Sequence, residues 1–283
     1  MSSKVLKIAT CQFAVSRNIR QNSNKIGGFF YRAKKAGVDI VHFPECALSG
    51  YAGIDFLSFK GYDWELLKRE TLRLIALAGE LKLWVVLGSS HRLSGRNKPH
   101  NSLYLIGPKG KIIDRYDKRF CTEIEMKHFT PGNHFVVFEI NGVKCSLLIC
   151  FDLRFPELYR ELYKLGVNCV FQSFYNARQK GPSVHTHIMR QTMQCHAATN
   201  HFWVSMSNAS GVFTPYPSCF ITPDGVIANY LGVNQRGMLV NTVDLKEEFY
   251  DPMAPFRDSV VGGALSNGPT RINDPRSSDK TCL

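Results

Sequence analysis

The 283-residue sequence predicts an α/β fold with mixed β-sheets. Apolar segments of strand length alternate with amphipathic segments of helical period. Three pairs of strand-like segments are separated only by tight-turn residues, so antiparallel hairpins interrupt the alternation. Hydrophobic residues make up 44% and charged residues 20%, enough apolar material for a large core. Alternation combined with hairpins means a mixed sheet, not a purely doubly wound one.

Residues 7–13 read as the first strand. Residues 22–35 follow as a helix, stopped by Gly37 just beyond Lys34 and Lys35. Residues 38–43 form a short apolar strand that Pro44 halts. Residues 65–81 keep a helical period and lead into a strand over 83–88. Strands 102–106 and 111–116 flank Pro108-Lys109-Gly110, and strands 135–140 and 143–149 flank Asn141-Gly142, a strong hairpin signal. Beyond Cys150 come a helix over 156–165, with Pro156 in its first turn and Gly166 past its end, and a strand over 167–174. A helix over 186–199 and strands 202–207, 218–222 and 226–230 complete the pattern. Regular signals fade from Asp251. One domain over 1–265 and a polar tail over 266–283 are expected.

Lys and Arg total 35 against 23 Asp and Glu, a net charge of +12 that raises nucleic acid as a partner. The basic residues are scattered, however. The densest helical cluster, Arg32-Ala33-Lys34-Lys35, is short, and no basic run interleaves with aromatics. A solvated basic surface is expected, not a nucleic-acid interface. No window reaches the roughly 18 apolar residues of a membrane span. The N-terminus, broken by Lys4, Lys7 and Gln12, lacks a signal-peptide pattern, and Cys282 stands one residue too late for prenylation. The nine cysteines include no C-x-x-C pair, which argues against a zinc ribbon or redox motif and for a reducing, cytoplasmic setting.

Three residues stand out as carriers of chemistry. Cys150 ends a continuous strand immediately before a turn and a helix, an elbow from which a nucleophile projects and where the N–H of its successor Phe151 is available to an oxyanion. Glu45 follows Pro44 at another strand end, and Lys118 ends a third. Taken singly, each has an ordinary alternative: a buried strand-end cysteine and two solvated charges. Tyr51, Tyr175 and Asn176 follow the same strand ends and are expected in the pocket wall. His185 and His187, two residues apart near a helix start, point apart and suit solvated or capping roles better than metal ligation.

Together the residues resemble the carbon–nitrogen hydrolase (nitrilase) superfamily. Glu45 lies in F-P-E-x-x-L-S-G-Y, Lys118 in Y-x-K, and Cys150 in C-x-D-L-R-F-P-E. Asn101-Ser102, Phe129-Thr130-Pro131-Gly132 and Thr222-Pro223-Asp224-Gly225 extend the match over roughly residues 5 to 250. The resemblance implies a four-layer α-β-β-α sandwich, no metal or cofactor, and hydrolysis of a non-peptide C–N bond through a cysteine thioester. The substrate it implies is a small amide or N-carbamoyl compound that releases ammonia. Glu45 would be the base, Lys118 and the Phe151 N–H the oxyanion donors, and Glu125 a second glutamate orienting Lys118 or the substrate. Glu123 lies close enough to compete for that last role. A homodimer or higher homo-oligomer is implied as well. The helix after the nucleophile departs from the family's A-R-A-x-E-N, reading Cys195-His196-Ala197-Ala198-Thr199-Asn200, and residues 174–187 match least. Three alternatives remain: nitrile hydrolysis by the same site, a thiol hydrolase using Cys150 with a histidine, and a polyanion-binding member with a decayed site.

Overall fold

The computed structural model describes residues 4–178, 180–268 and 272–281; Cys282 and the last residues of the polar tail lie outside them. In chain order the elements are β1 (Val5–Gln12), α1 (Ile19–Lys35), β2 (Ile40–His42), α2 (Trp64–Leu81), β3 (Trp84–His91), β4 (His100–Gly107), β5 (Lys111–Asp117) and β6 (Val137–Ile140). There follow β7 (Val143–Ile149), α3 (Pro156–Lys164), β8 (Cys169–Phe174), α4 (His185–Asn200), β9 (Trp203–Asn208), β10 (Cys219–Ile221), β11 (Ile227–Tyr230), β12 (Gly237–Asp244) and α5 (Arg257–Val261). Short 3-10 turns cover Glu125–Lys127, Cys150–Arg154 and Pro275–Ser277.

The strands form two six-stranded mixed sheets, ordered β12-β1-β2-β3-β4-β5 and β11-β10-β9-β8-β7-β6. The inner strands, β1-β2-β3 and β7-β8-β9, run parallel, and the hairpins add antiparallel edges. Side chains alternate across a strand, so each buried strand feeds two cores. In the first sheet Ala9, Val41 and Val85 meet Ile26, Phe29 and Leu74 of α1 and α2. Leu6, Ile8, Ile40 and Val86 face the other way, into a core shared with the second sheet and with Leu158, Leu162, Met189 and Met193 of α3 and α4. The layers are therefore α-β-β-α. A polar network crosses between the sheets: Thr10 and His42 Nδ1 each bond Ser205 Oγ, at 2.7 and 2.8 Å, and His42 Nε2 bonds Ser173 Oγ at 2.8 Å. Burial pushes the His42 pKa down to about 3, so this pin stays neutral.

The first helix and the last strand differ from the sequence reading. The first helix starts at Ile19, because the Asn18 side chain accepts from Gln21 N at 3.0 Å and caps it there. The reading also ended its strands at Tyr230, whereas β12 pairs antiparallel along all of β1. Only Leu239 and Val243 of β12 are buried, so its apolar signal is weak and its long-range pairing carries it. The chain divides into two compact units, Met1–Tyr250 and Asp251–Leu283. The second unit holds α5 and the last 3-10 turn, with an Arg257–Asp251 ion pair inside it.

Candidate active site

Glu45, Lys118, Cys150 and Asn176 follow the C-terminal ends of β2, β5, β7 and β8. Glu45 N donates to Phe174 O at 3.3 Å, which ties the turn after β2 to β8 of the other sheet. Gly88 lets that turn close on β3: a Cβ there would stand 2.0 Å from Pro44 O. Gly132 plays the same part beyond β5. Its N–H donates to Lys118 O at 2.8 Å, and a Cβ would stand 2.4 Å from Asp117 O.

The side chains at these ends converge. Lys118 Nζ lies 2.9 Å from Glu45 Oε1 and 2.5 Å from Glu125 Oε1, and all three groups are buried. Asn101 Nδ2 donates to the same Glu45 oxygen at 2.7 Å. The Tyr51 hydroxyl donates to Glu125 Oε1 and Thr122 N to Oε2, at 2.5 and 2.8 Å. Glu125 thus takes the second-glutamate position, while Glu123 is exposed to solvent. Glu45 Oε2 is buried with no hydrogen-bond partner among the described residues, and the Glu45 carboxylate acts electrostatically on the Cys150 thiol.

The electrostatics are uneven. Burial raises the Glu45 pKa, and Lys118 offsets only part of that. Burial acts on Glu125 too, but Lys118, Tyr51 and the Thr122 N–H outweigh it and hold its carboxyl below the usual range. Burial works against the Lys118 charge, yet Glu45, the Cys150 sulfur and Glu125 keep the ammonium well above its ordinary pKa. Burial and then Glu45 push the Cys150 thiol well up, with Lys118 pulling back only partly. The resting sulfur is therefore a thiol that needs a base. The charged groups that act on it most strongly are Glu45, Lys118 and Glu125.

Cys150 has φ +42°, a left-handed conformation that a non-glycine residue keeps only where its surroundings enforce it. Asp152 supplies the enforcement. Its carboxylate accepts from Ile149 N and Phe120 N, both at 3.0 Å, and from the Tyr116 hydroxyl at 2.8 Å. His196, where the family pattern has arginine, stacks on Tyr159 at 3.8 Å and reaches Leu153 O at 3.0 Å. It braces the elbow from behind.

A cavity of about 280 Å³ opens onto Cys150, Lys118, Glu125 and Phe151, and Tyr51, Tyr175 and Asn176 line it as well. Their polar atoms are largely engaged within the protein. Tyr51 holds Glu125, and the Tyr175 hydroxyl donates to Asp55 at 3.0 Å, which also pairs with Arg178 at 2.7 Å. Asn176 Oδ1 accepts from Tyr216, and its Nδ2 stands 3.9 Å from Cys150 Sγ. Sequence reasoning missed Arg154, His185 and Thr122 in the same wall. Arg154 was legible in the Cys150 motif, whereas His185 lies in the segment that matches the family least. His187 is exposed, and among the described residues no three His, Cys, Asp or Glu side chains are grouped to hold a metal ion.

A sequence model of carbon-nitrogen hydrolases matches residues 7–248. The chain is 31% identical over 234 residues to the "Hydrolase in agr operon" of Staphylococcus lugdunensis, covering 79% of this chain and 95% of the relative. It is 27% identical over 264 residues to the 2-oxoglutaramate amidase of Bacillus subtilis, covering 89% and 94%. A mutant of the Nesterenkonia AN1 amidase from the nitrilase superfamily superposes with a TM-score of 0.76 at 21% identity, covering 92% of this chain and 97% of that one. Motif and fold agree with these matches, and the chain belongs to the carbon-nitrogen hydrolase family.

Proposed function

We propose that this protein hydrolyses the C–N bond of a small amide through a Cys150 thioester, releasing ammonia. The observation that carries the reading is the buried Lys118 ammonium held between Glu45 and Glu125, with the Glu45 carboxylate acting on the Cys150 thiol. Glu45 takes the thiol proton as sulfur attacks the amide carbon. Lys118 has three N–H donors and uses two on the carboxylates, so one is free for the oxyanion, joined by the Phe151 N–H. Glu45 passes its proton to the departing nitrogen, the C–N bond breaks, and ammonia leaves a thioester. Water then enters, gives its proton to Glu45 and attacks the same carbon. Collapse returns the proton to sulfur and frees the carboxylic acid.

The reading extends to the substrate. Arg154 is a lining cation not consumed by the Glu45–Lys118–Glu125 cluster, which favours an amide bearing a carboxylate at its far end. The cavity lies near the lower end of the roughly 300–1,000 Å³ typical of ligand pockets, so the substrate is small. The eight described cysteines are all free and no described helix is long and apolar enough to cross a membrane, which fits a cytoplasmic setting. We assign the chemistry to the first compact unit and expect self-association. The test is an ammonia-release screen over monoamides of dicarboxylic acids, plain amides, N-carbamoyl compounds and nitriles, with Cys150→Ala as the blank. Release from the acidic monoamides, with KM raised by Arg154→Ala, supports the reading; release from nitriles alone overturns it.

A further inference from the structure

The +12 charge is dispersed along the sequence, but folding gathers part of it. Arg92, Arg96 and Lys98, from the loop after β3, and Lys127 and His128, from the turn after Glu125, line one cavity of about 280 Å³ outside the catalytic cavity. No Asp or Glu lines it. Among the described residues none of the five forms an ion pair with a carboxylate. Like charges converging on a concavity without counter-charge repel one another, and a bound anion relieves that repulsion.

The local geometry suits oxyanions of high charge. Two guanidinium groups offer planar, forked donors, and the two lysines add mobile point charges. The Arg92 guanidinium rests over the Trp64 ring, 5.8 Å from its centroid, so one donor plane is held against a rigid wall. Lys98 Nζ donates to Met126 O at 2.7 Å, anchoring the loop to the Glu125 turn. His128 lies against Gly53, where a Cβ would stand 3.1 Å from its Nε2, and Gly53 lines the catalytic cavity. The basic cavity and the catalytic cavity share a wall.

We propose that this basic cavity is a binding site for a small, multiply charged phosphate anion of the oligophosphate class. The claim does not depend on the amidase reading, because none of the five basic side chains belongs to the Glu45–Lys118–Cys150 cluster. The experiment is calorimetric titration of the full chain with inorganic tripolyphosphate at about 0.1 M salt, where the Debye length is about 10 Å. Saturable one-to-one binding is expected, weakened about tenfold or more in Arg92→Ser/Arg96→Ser through the loss of charge-assisted hydrogen bonds. Lys127→Ser should weaken it separately, and unchanged melting temperatures would exclude misfolding of either variant. Arg154→Ala should leave the affinity unchanged. No saturable binding, equal binding by the double variant, or loss of binding in Arg154→Ala would overturn the proposal. Tighter binding of a single-stranded oligonucleotide than of tripolyphosphate, with a steep salt dependence, would overturn it in favour of an extended polyanion surface.

Discussion

Glu45 and Glu125 both aim a carboxylate oxygen at Lys118 Nζ, at 2.9 and 2.5 Å, yet their acidities are driven in opposite directions. Burial raises the Glu45 pKa, while Lys118 and the donors around Glu125 overcome burial there and lower it. Such a split suits the proposed roles, in which one carboxylate carries protons and the other keeps a fixed charge.

Glu45→Gln should therefore lower kcat by about 10² to 10⁴, the usual contribution of a general base. In the proposed mechanism Glu45 must be deprotonated to act, so kcat/KM should rise with pH through its pKa. Because that pKa is raised, the acid limb should lie above the ordinary glutamate value of about 4.3. A pH–rate profile with its acid limb at or below the ordinary value would contradict the assignment.

Lys118→Ala and Lys118→Gln should each lose about 10² or more in kcat, as for removal of one oxyanion donor. Lys118→Arg should fail as well, since a planar fork cannot reproduce one point charge between two carboxylates. Ammonia release at saturating amide measures both. An active alanine variant would sink the mechanism.

Tyr51→Phe and Tyr175→Phe should separate. The first removes a donor from Glu125, so kcat should fall about tenfold, equivalent to the 1.4 kcal/mol of one charged hydrogen bond, with KM little changed. The second removes a donor from Asp55 and should affect all substrates alike, alongside a lower melting temperature. A change in relative kcat/KM between substrates in Tyr175→Phe would instead place its hydroxyl on the substrate.

Asp152→Ala orphans two backbone N–H groups and the Tyr116 hydroxyl. At about 1–3 kcal/mol per unsatisfied buried group, the loss should be about 3 kcal/mol or more. Thermal unfolding should show a melting temperature lower by several degrees. A variant as stable as the parent would mean that Cys150 keeps its left-handed backbone without this clamp.

Exposed Cys195 should react with a generic thiol reagent before Cys150, whose thiol is half-buried and neutral at rest. A haloacetamide shaped like a substrate should reverse that order, because binding in the cavity brings it to Cys150 beside Glu45. Peptide mapping after brief labelling distinguishes the two. Equal preference for Cys195 under both reagents would count against Cys150 as the nucleophile.

The sequence by itself determined the alternation of elements, the hairpins and the strand ends that carry Glu45, Lys118 and Cys150, because strand period, turn residues and prolines are local signals. Local signals could not register β12, whose half-buried pattern means little until β1 is beside it. Nor could they choose Glu125 over Glu123; burial against Lys118 chose. The hydroxyls of Tyr51 and Tyr175 looked free for substrate in the sequence, but folding directs them to Glu125 and Asp55. Arg154 and His185 became visible in the cavity only when the Cys150 elbow and the start of α4 were brought to one wall. In each case what decided was a contact between residues far apart in the chain, since pKa, burial and hydrogen-bond partner belong to the neighbours a side chain meets and not to its position in the sequence.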